Sequence, residues 1–431
     1  MMLVYPKPVS TILRCHTHFQ QVVEFFNQML QFNCSSTDYL THDSVLPWCL
    51  DADGKNCTDQ TISAEDLMDL CLSRHEYLEK YLGPRRSPLF LPVCVTYIAI
   101  FMVGTMGNVL TCAVITRYRV MHTPTNYYLF SLAMSDLLVL LLGMPLELYE
   151  MWNSYPFLLG AGGCYFKTFL FETVCFASVL TVTALSAERY VAVLHPLHAK
   201  HIATKTHAKR VIIALWVFSM VCAMPNTSLH GITYLSTKFG QQFPESAICM
   251  VVKPTWMYNL LVQVTAIVFF LLPMMTMGVL YLLIGLQLYR EKVLIQQVTQ
   301  FSIEGKVGKN PQQNLRHQQV TKMLCVLVLV FVICWAPFHV DRVVWSYIED
   351  WTEERQMIFE WVHVLSGVLF YLSSAVNPIL YNLMSTRFRE MFKEVVCKSI
   401  HHRYSITQLS SRSTVYEKGV CEKGVFPIQI R

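Results

Sequence analysis

Four charged side chains interrupt two long apolar stretches of the chain. Asp136 is the sole charge within Thr125–Met144, and Glu172, Glu188 and Arg189 are the only ones within Thr168–Val193. If those stretches are buried in lipid, each such charge costs at least ~2.5–3.5 kcal/mol and needs a chemical reason. Asp136 has two readings from its residue type. It is either a structural polar group satisfied by neighbours such as Asn108 and Asn377, or the charge of a sodium-ion site completed by the oxygens of Ser178 and Asn377. Glu188-Arg189-Tyr190 is an adjacent acid–base pair at the end of its stretch, which locally reads as a solvated surface pair. Two further acids and a base complete the set. Glu147 follows Met-Pro145, Glu172 lies about two helical turns after Cys164, and Arg342 lies five residues after Pro337. On helical spacing, Phe338 and His339 fall between Trp335 and Arg342 as an aromatic floor. The three charges allow either an internal Glu172–Arg342 bridge that shapes a pocket, with Glu147 left for a ligand cation, or two acids both facing the ligand. No nucleophile elbow, phosphate loop or metal pair accompanies them, so an enzyme is not expected.

These side chains need elements to hold them, and the charge distribution supplies the elements. Only 38 of the chain's 63 charged residues lie in residues 87–398, a stretch of 312. A soluble domain carries about a quarter charged residues. Ser87–Thr116, Val211–Thr237, Pro254–Tyr289, Met323–Val340 and Trp361–Thr386 contain no Asp, Glu, Lys or Arg. With the two interrupted stretches they make seven segments, each near the roughly 20 residues that span a bilayer as a helix. The predicted fold is therefore an all-α membrane protein, a bundle of seven transmembrane helices. The net charge of +5 comes without a basic run or zinc-finger spacing, so no nucleic-acid partner is expected.

Loop charge orients the bundle. The first connection holds Arg117 and Arg119 and no acid, and the third holds Lys200, Lys205, Lys209 and Arg210 and no acid. The fifth, 290–322, has six bases against Glu291 and Glu304, whereas Asp341–Glu360 has six acids and two arginines. Basic loops stay cytoplasmic, which puts the N-terminus outside, the C-terminus inside and the whole in the plasma membrane. Residues 1–86 read as a largely flexible extracellular tail with sequons at Asn33 and Asn56, and with helical spacing over Glu65–Leu82. No cleavable leader is recognised, and the first span is expected to serve as the export signal. A third sequon, Asn226-Thr-Ser, lies too close to the membrane to be modified. Residues 87–384 are expected to form the seven-span bundle. Over 385–398, Phe388, Met391, Phe392 and Val395 recur at helical spacing opposite Arg387, Arg389 and Lys393, which predicts a short amphipathic cytoplasmic helix on membrane lipids. Cys397 at its end suits palmitoylation. Residues 399–431 read as a disordered tail whose Ser405, Thr407, Ser410, Ser411, Ser413 and Thr414 suit phosphorylation-dependent arrestin capture, or remain unmodified.

One polar or proline motif recurs in each span: Gly-Asn108-Val-Leu, Ser-Leu-Ala-Met-Ser-Asp136-Leu, Glu188-Arg189-Tyr190, Trp216, Pro273, Cys334-Trp335-Ala-Pro337 and Asn377-Pro378-Ile-Leu-Tyr381. From Ser87 to about Lys398 the chain resembles the rhodopsin-like (class A) G protein-coupled receptors. The resemblance implies hinges at Pro273, Pro337 and Pro378, with Trp335, Phe331 and Pro273 passing agonist binding to the sixth helix. It gives Arg189, flanked by Glu188 and Tyr190, the contact with a G protein, and makes Tyr281 and Tyr381 its partners in the active state. It also implies a Cys164–Cys249 disulfide in an oxidising compartment.

The acid–acid–arginine set resembles receptors for ghrelin, motilin, neurotensin and neuromedin U. Longer identities narrow it: Thr123-Pro-Thr-Asn-Tyr-Tyr-Leu-Phe-Ser-Leu-Ala, Leu146-Glu-Leu-Tyr-Glu-Met-Trp152, Tyr155-Pro-Phe-Leu158, Phe171-Glu-Thr-Val-Cys175 and Pro225-Asn-Thr-Ser-Leu-His-Gly231. These resemble the neuromedin U receptor family. Tyr281-Leu-Leu-Ile-Gly-Leu and Val182-Thr-Ala-Leu-Ser resemble its type 1 branch more than its type 2. The resemblance implies that amidated, arginine-containing neuromedin U and neuromedin S are the ligands, and that signalling runs through Gq-class proteins to phospholipase C and calcium. Competing expectations are a receptor for another brain-gut peptide and a seven-helix transporter with Asp136 and Glu172 as relay carboxylates. The chain has no repeated half-sequence of the transporter kind.

Overall fold

The computed structural model describes residues 73–202, 204–235, 243–301, 311–348, 352–384 and 388–395. At 200–202, 292, 294–301, 311–324, 353, 356 and 381–384 it describes the backbone alone. Among the described residues, seven helices are long and apolar enough to cross a membrane. They are α2 (Phe90–Arg117), α3 (Pro124–Trp152), α4 (Gly160–Leu194), α6 (Lys205–Leu229), α7 (Thr255–Glu291), α8 (Pro311–Tyr347, apolar over Cys325–Tyr347) and α9 (Glu353–Met384, apolar over Met357–Leu380). A short α1 (Arg74–Leu82) precedes them, α5 (Pro196–Ile202) links α4 to α6, and residues 388–395 form α10. Two short strands, β1 (His230–Thr233) and β2 (Ile248–Val251), pair between α6 and α7.

Local chemistry sets the ends. Thr123 accepts the amide of Asn126, with Pro124 in the first turn, and so starts α3; Thr204 accepts the amide of His207 and starts α6. Two prolines act within spans. Pro145 and Pro273 have no N–H to offer the carbonyls four residues back, Leu141 and Phe269. Both carbonyls lie in five-residue π-helical segments, Val139–Gly143 in α3 and Ile267–Leu271 in α7. The wider turn absorbs the lost bond and shifts every later side chain around the helix axis. Pro337 and Pro378 lie inside α8 and α9, which are the most extensively packed pair of helices. Where α2 meets its neighbours, small residues permit close approach. A Cβ on Gly104 would lie 2.7 Å from Leu140, and one on Gly107 would lie 2.7 Å from Pro378.

The chain divides into two compact units. The larger holds most of the membrane helices. The smaller comprises, among described residues, 73–90, 149–161, 232–235 and 243–250. In it, Ser73 and Glu76 form a reciprocal capping box at the start of α1, and Gly83 ends that helix at a φ of 77°. The hydrogen bond from Ser73 lowers the pKa of the exposed Glu76 carboxyl. Tyr77, Leu78 and Leu82 of α1 bury against Tyr155, Phe243 and Ile248, and Arg74 pairs with Glu245. The Tyr155 hydroxyl donates to the Gly83 carbonyl, and Arg86 lies 3.9 Å over the Trp152 ring. Residues 73–86, expected as part of a flexible tail, thus carry a packed helix. Its apolar face was visible in the spacing, but its partners come from two distant loops.

Candidate functional site

Glu147 in α3 accepts the Tyr97 hydroxyl of α2 on Oε1 at 2.9 Å and the Tyr371 hydroxyl of α9 on Oε2 at 2.8 Å. The two rings lie 4.9 Å apart, and Gly367 leaves room for them, since a Cβ there would stand 2.7 Å from the Tyr97 oxygen. Glu172 in α4 is held differently. Arg342 of α8 donates to its Oε1 at 2.7 Å, and Asn226 of α6 donates to the same oxygen at 2.8 Å. All three are buried, and the Tyr258 hydroxyl of α7 also meets Arg342.

Below Arg342 lies a continuous aromatic layer. Arg342 stands 5.6 Å over Phe338, which packs on Phe171 and Phe370 at 5.7 and 5.0 Å. His339 stacks on Phe270 at 4.6 Å. Trp335 meets Phe370 at 5.2 Å and stacks on Phe331 at 4.7 Å, one helical turn further in. Ring contacts therefore run without a break from Phe338 to Phe331.

Asp136 lies deeper still. Asn377 donates to its Oδ2 at 2.9 Å, and Ser374 bonds to it as well. Ser178 donates to Ser135 at 3.0 Å rather than to the aspartate. Asn108 joins α2 to α9 through the carbonyls of Gly104 and Ser374. Toward the inner end, Arg189 donates to Glu188 at 2.9 Å and to the Thr125 hydroxyl of α3. Tyr190 packs edge-on against His195, and the Tyr281 hydroxyl accepts from Ser186 at 3.2 Å. Cys164 and Cys249 are disulfide-bonded, whereas Cys94, Cys112, Cys175, Cys222, Cys325 and Cys334 are free.

Residues 107–381 match the family model described as 7 transmembrane receptor (rhodopsin family). The chain is 53% identical over 376 residues to the human neuromedin-U receptor 1, covering 84% of this chain and 88% of that protein. It is 55% identical over 343 residues to the rat neuromedin-U receptor 2, covering 79% and 85%. A pig growth hormone secretagogue receptor type 1 is 40% identical over 313 residues, covering 72% and 82%. The chain belongs to the neuromedin-U receptor family of rhodopsin-type receptors. Members are multi-pass plasma-membrane receptors for peptides, coupled to G proteins, and not enzymes. The type 1 relative aligns over more of the chain, while the type 2 identity is as high.

In this receptor, three separated segments of sequence meet at Glu172, and three others meet at Glu147. Phe338 and His339 lie between Trp335 and Arg342 on α8, and Phe331 stacks on Trp335 one turn further in. Several partners went unnoticed in the sequence. Phe171, Phe270 and Phe370 complete the layer from other helices. Tyr97 and Tyr371 carry hydroxyls that need partners when buried, and that need was the one available signal. Asn226 was read only as a sequon, yet its amide nitrogen is occupied by Glu172. Of Tyr381 only the backbone is described. Asn33, Asn56, Cys397 and the serine–threonine cluster of the C-terminal tail lie outside the described residues.

Proposed function

We propose that this receptor responds to amidated, arginine-containing peptides of the neuromedin U and neuromedin S type, and that it signals through Gq-class proteins to phospholipase C and calcium. The observation that carries the ligand reading is the pair of acids, Glu147 and Glu172, set around Arg342, Phe338 and His339 in the outer half of a chain more than half identical to neuromedin-U receptors. Carboxylates hold guanidinium groups through short charge-assisted bonds. Peptide cations enter toward the acids, above the Phe338–Phe370 layer. The ring contacts pass the load to Trp335 and Phe331, and the prolines at 273, 337 and 378 supply the points where α7, α8 and α9 bend. Movement of α8 frees Arg189 from Glu188 and Thr125, and Tyr281 and Tyr381 then receive it beside the G protein.

Asp136 and Ser178 offer a negative charge and a hydroxyl oxygen suited to a sodium ion, and Asn377 orients the carboxylate by donating to it. Phe388 and Phe392 anchor α10 by burial against the protein, and its amphipathic spacing supports placement on membrane lipids, with palmitate on Cys397 and arrestin on the phosphorylated tail beyond.

Calcium mobilisation in cells expressing the full chain tests the reading. Amidated neuromedin U should give a response, and its free acid a much weaker one. Silence to both, with ghrelin or neurotensin active, would overturn the ligand assignment. Arg189→Ala should bind peptide normally and fail to signal, and full signalling by that variant would refute its role.

A further inference from the structure

Two donors crowd onto one oxygen of Glu172 while its other oxygen has none. Arg342 Nη2 and Asn226 Nδ2 reach Oε1 at 2.7 and 2.8 Å. Among the described residues, Glu172 Oε2 and Asn226 Oδ1 are buried without a hydrogen-bond partner, and so is Arg342 Nε. Relative exposures of 2% for Glu172 and 3% for Asn226 leave bulk water little access to these atoms. A buried acceptor without a donor costs about 1–3 kcal/mol, and more when it is charged. Folded proteins rarely leave such atoms unmet without a functional cause. Here two of them are acceptors, on side chains already bonded to each other and anchored on α4 and α6.

Asn226 stands in a glycosylation sequon, but it is buried near the end of α6 and its amide nitrogen is held by Glu172. That bond accounts for the nitrogen and leaves the amide oxygen unmet among the described residues.

We infer that Asn226 is a positioning residue for peptide recognition. It holds Glu172 by Oε1, leaving Glu172 Oε2 and its own Oδ1 as a two-acceptor socket for one guanidinium of the ligand. A guanidinium is all donor, with five N–H groups in a plane, and a carboxylate has lone pairs enough to take one guanidinium on each oxygen. Arg342 thus occupies one oxygen permanently and the ligand's arginine occupies the other. Arg342 also fixes the carboxylate as an anion before the ligand arrives, and the side chains that cover Oε2 must part to admit the guanidinium. This inference rests on the peptide reading above and adds the residue that aims the acid.

The test is a double-mutant cycle between receptor and ligand, with binding measured on intact cells and normalised to surface receptor. The receptors are wild type and Asn226→Ala. The peptides are amidated neuromedin U and variants with each arginine in turn replaced by norleucine or citrulline. Asn226→Ala should weaken the parent peptide about tenfold, the scale of one charged hydrogen bond. For one norleucine variant the same substitution should cost less than about twofold. Citrulline at that position keeps donors without charge and should fall between. Should Asn226→Ala fail to reach the surface, Asn226→Gln carries the same cycle, because it moves both amide atoms by one methylene. Equal losses on every peptide would overturn the inference, as would coupling confined to the terminal carboxamide. A wild-type receptor deaf to the parent peptide would instead sink the ligand reading itself; a responsive one without coupling sinks only the role of Asn226.

Discussion

Glu147 and Glu172 are acids in the outer halves of adjacent membrane helices, and their surroundings answer the same electrostatic problem differently. Glu147 receives one tyrosine hydroxyl on each oxygen, from helices on two sides. Glu172 receives a guanidinium and an amide on a single oxygen, and the second oxygen faces no donor among the described residues. Tyrosine hydroxyls on both oxygens hold the Glu147 carboxylate in place. A cation on one side neutralises that of Glu172 but leaves it incomplete. The first arrangement ties α2, α3 and α9 together, and the second ties α4, α6 and α8 while keeping an acceptor in reserve. The difference teaches that burial of an acid does not by itself mark a ligand contact. What sets Glu172 apart is an oxygen left without a donor among the described residues.

The most damaging way to probe this contrast is Arg342→Leu. It strands Glu172 as a buried charge with only Asn226 for support. Removing one partner of a buried pair costs about 3–5 kcal/mol. Surface expression should collapse, and thermal unfolding of purified receptor should shift down by many degrees. Arg342→Leu combined with Glu172→Leu should recover much of the loss. A single variant as stable as wild type would show that the pair is not what holds these helices.

Glu172→Gln comes next. It keeps shape but leaves the buried Arg342 without its anion, so potency must be read per receptor at the surface. So normalised, peptide potency in calcium assays should fall about 10- to 100-fold, the range for a hydrogen bond to a charged group. Glu147→Gln should cost less, because its carboxylate already has a donor on each oxygen. A larger loss at Glu147 would invert the comparison and make Glu147 the principal reader of the ligand.

These two sites also mark how far the sequence could be read. A charge inside an apolar stretch announces itself, so Asp136, Glu172 and Arg189 were visible before any fold was known, and seven apolar stretches gave the helices that carry them. Partner choice was not visible. Tyr97 and Tyr371 sit among apolar residues and look like packing, since a hydroxyl reveals its partner only when helices far apart in sequence are brought together. Asn226 sat inside a glycosylation pattern that suggested a different use. Pro145 and Pro273 were visible, but not the π-helical segments before them, because a lost hydrogen bond can be absorbed by a kink or a widened turn. The helix around Tyr77 was visible in the spacing over Glu65–Leu82, but its packing was not, since its core comes from Tyr155 and Phe243, dozens of residues away.

A smaller effect is expected from Tyr371→Phe. It deletes one of two donors to Glu147 and should lower thermal stability by about 1 kcal/mol, with little change in peptide potency. A potency loss matching that of Glu172→Gln would mean that Tyr371 aims Glu147 at the ligand and does not merely anchor it.

The finest probe is Gly367→Ala, which replaces neither acid nor any of their donors. Its added methyl would stand 2.7 Å from the Tyr97 oxygen and 3.5 Å from Glu147 Oε1. Real carbon atoms do not approach a hydroxyl so closely, so the Tyr97 ring must swing and release the carboxylate. Because Tyr97 is almost fully buried against Tyr371, the swing also disturbs the ring pair. The expected cost is at most about 1 kcal/mol, the value of the hydrogen bond lost. Its diagnostic content lies in non-additivity. Tyr97→Phe should destabilise the wild type but change little in a Gly367→Ala background, where that bond is already broken. Full additivity would mean that the glycine serves close packing of α9 on α2 and has no part in holding Glu147.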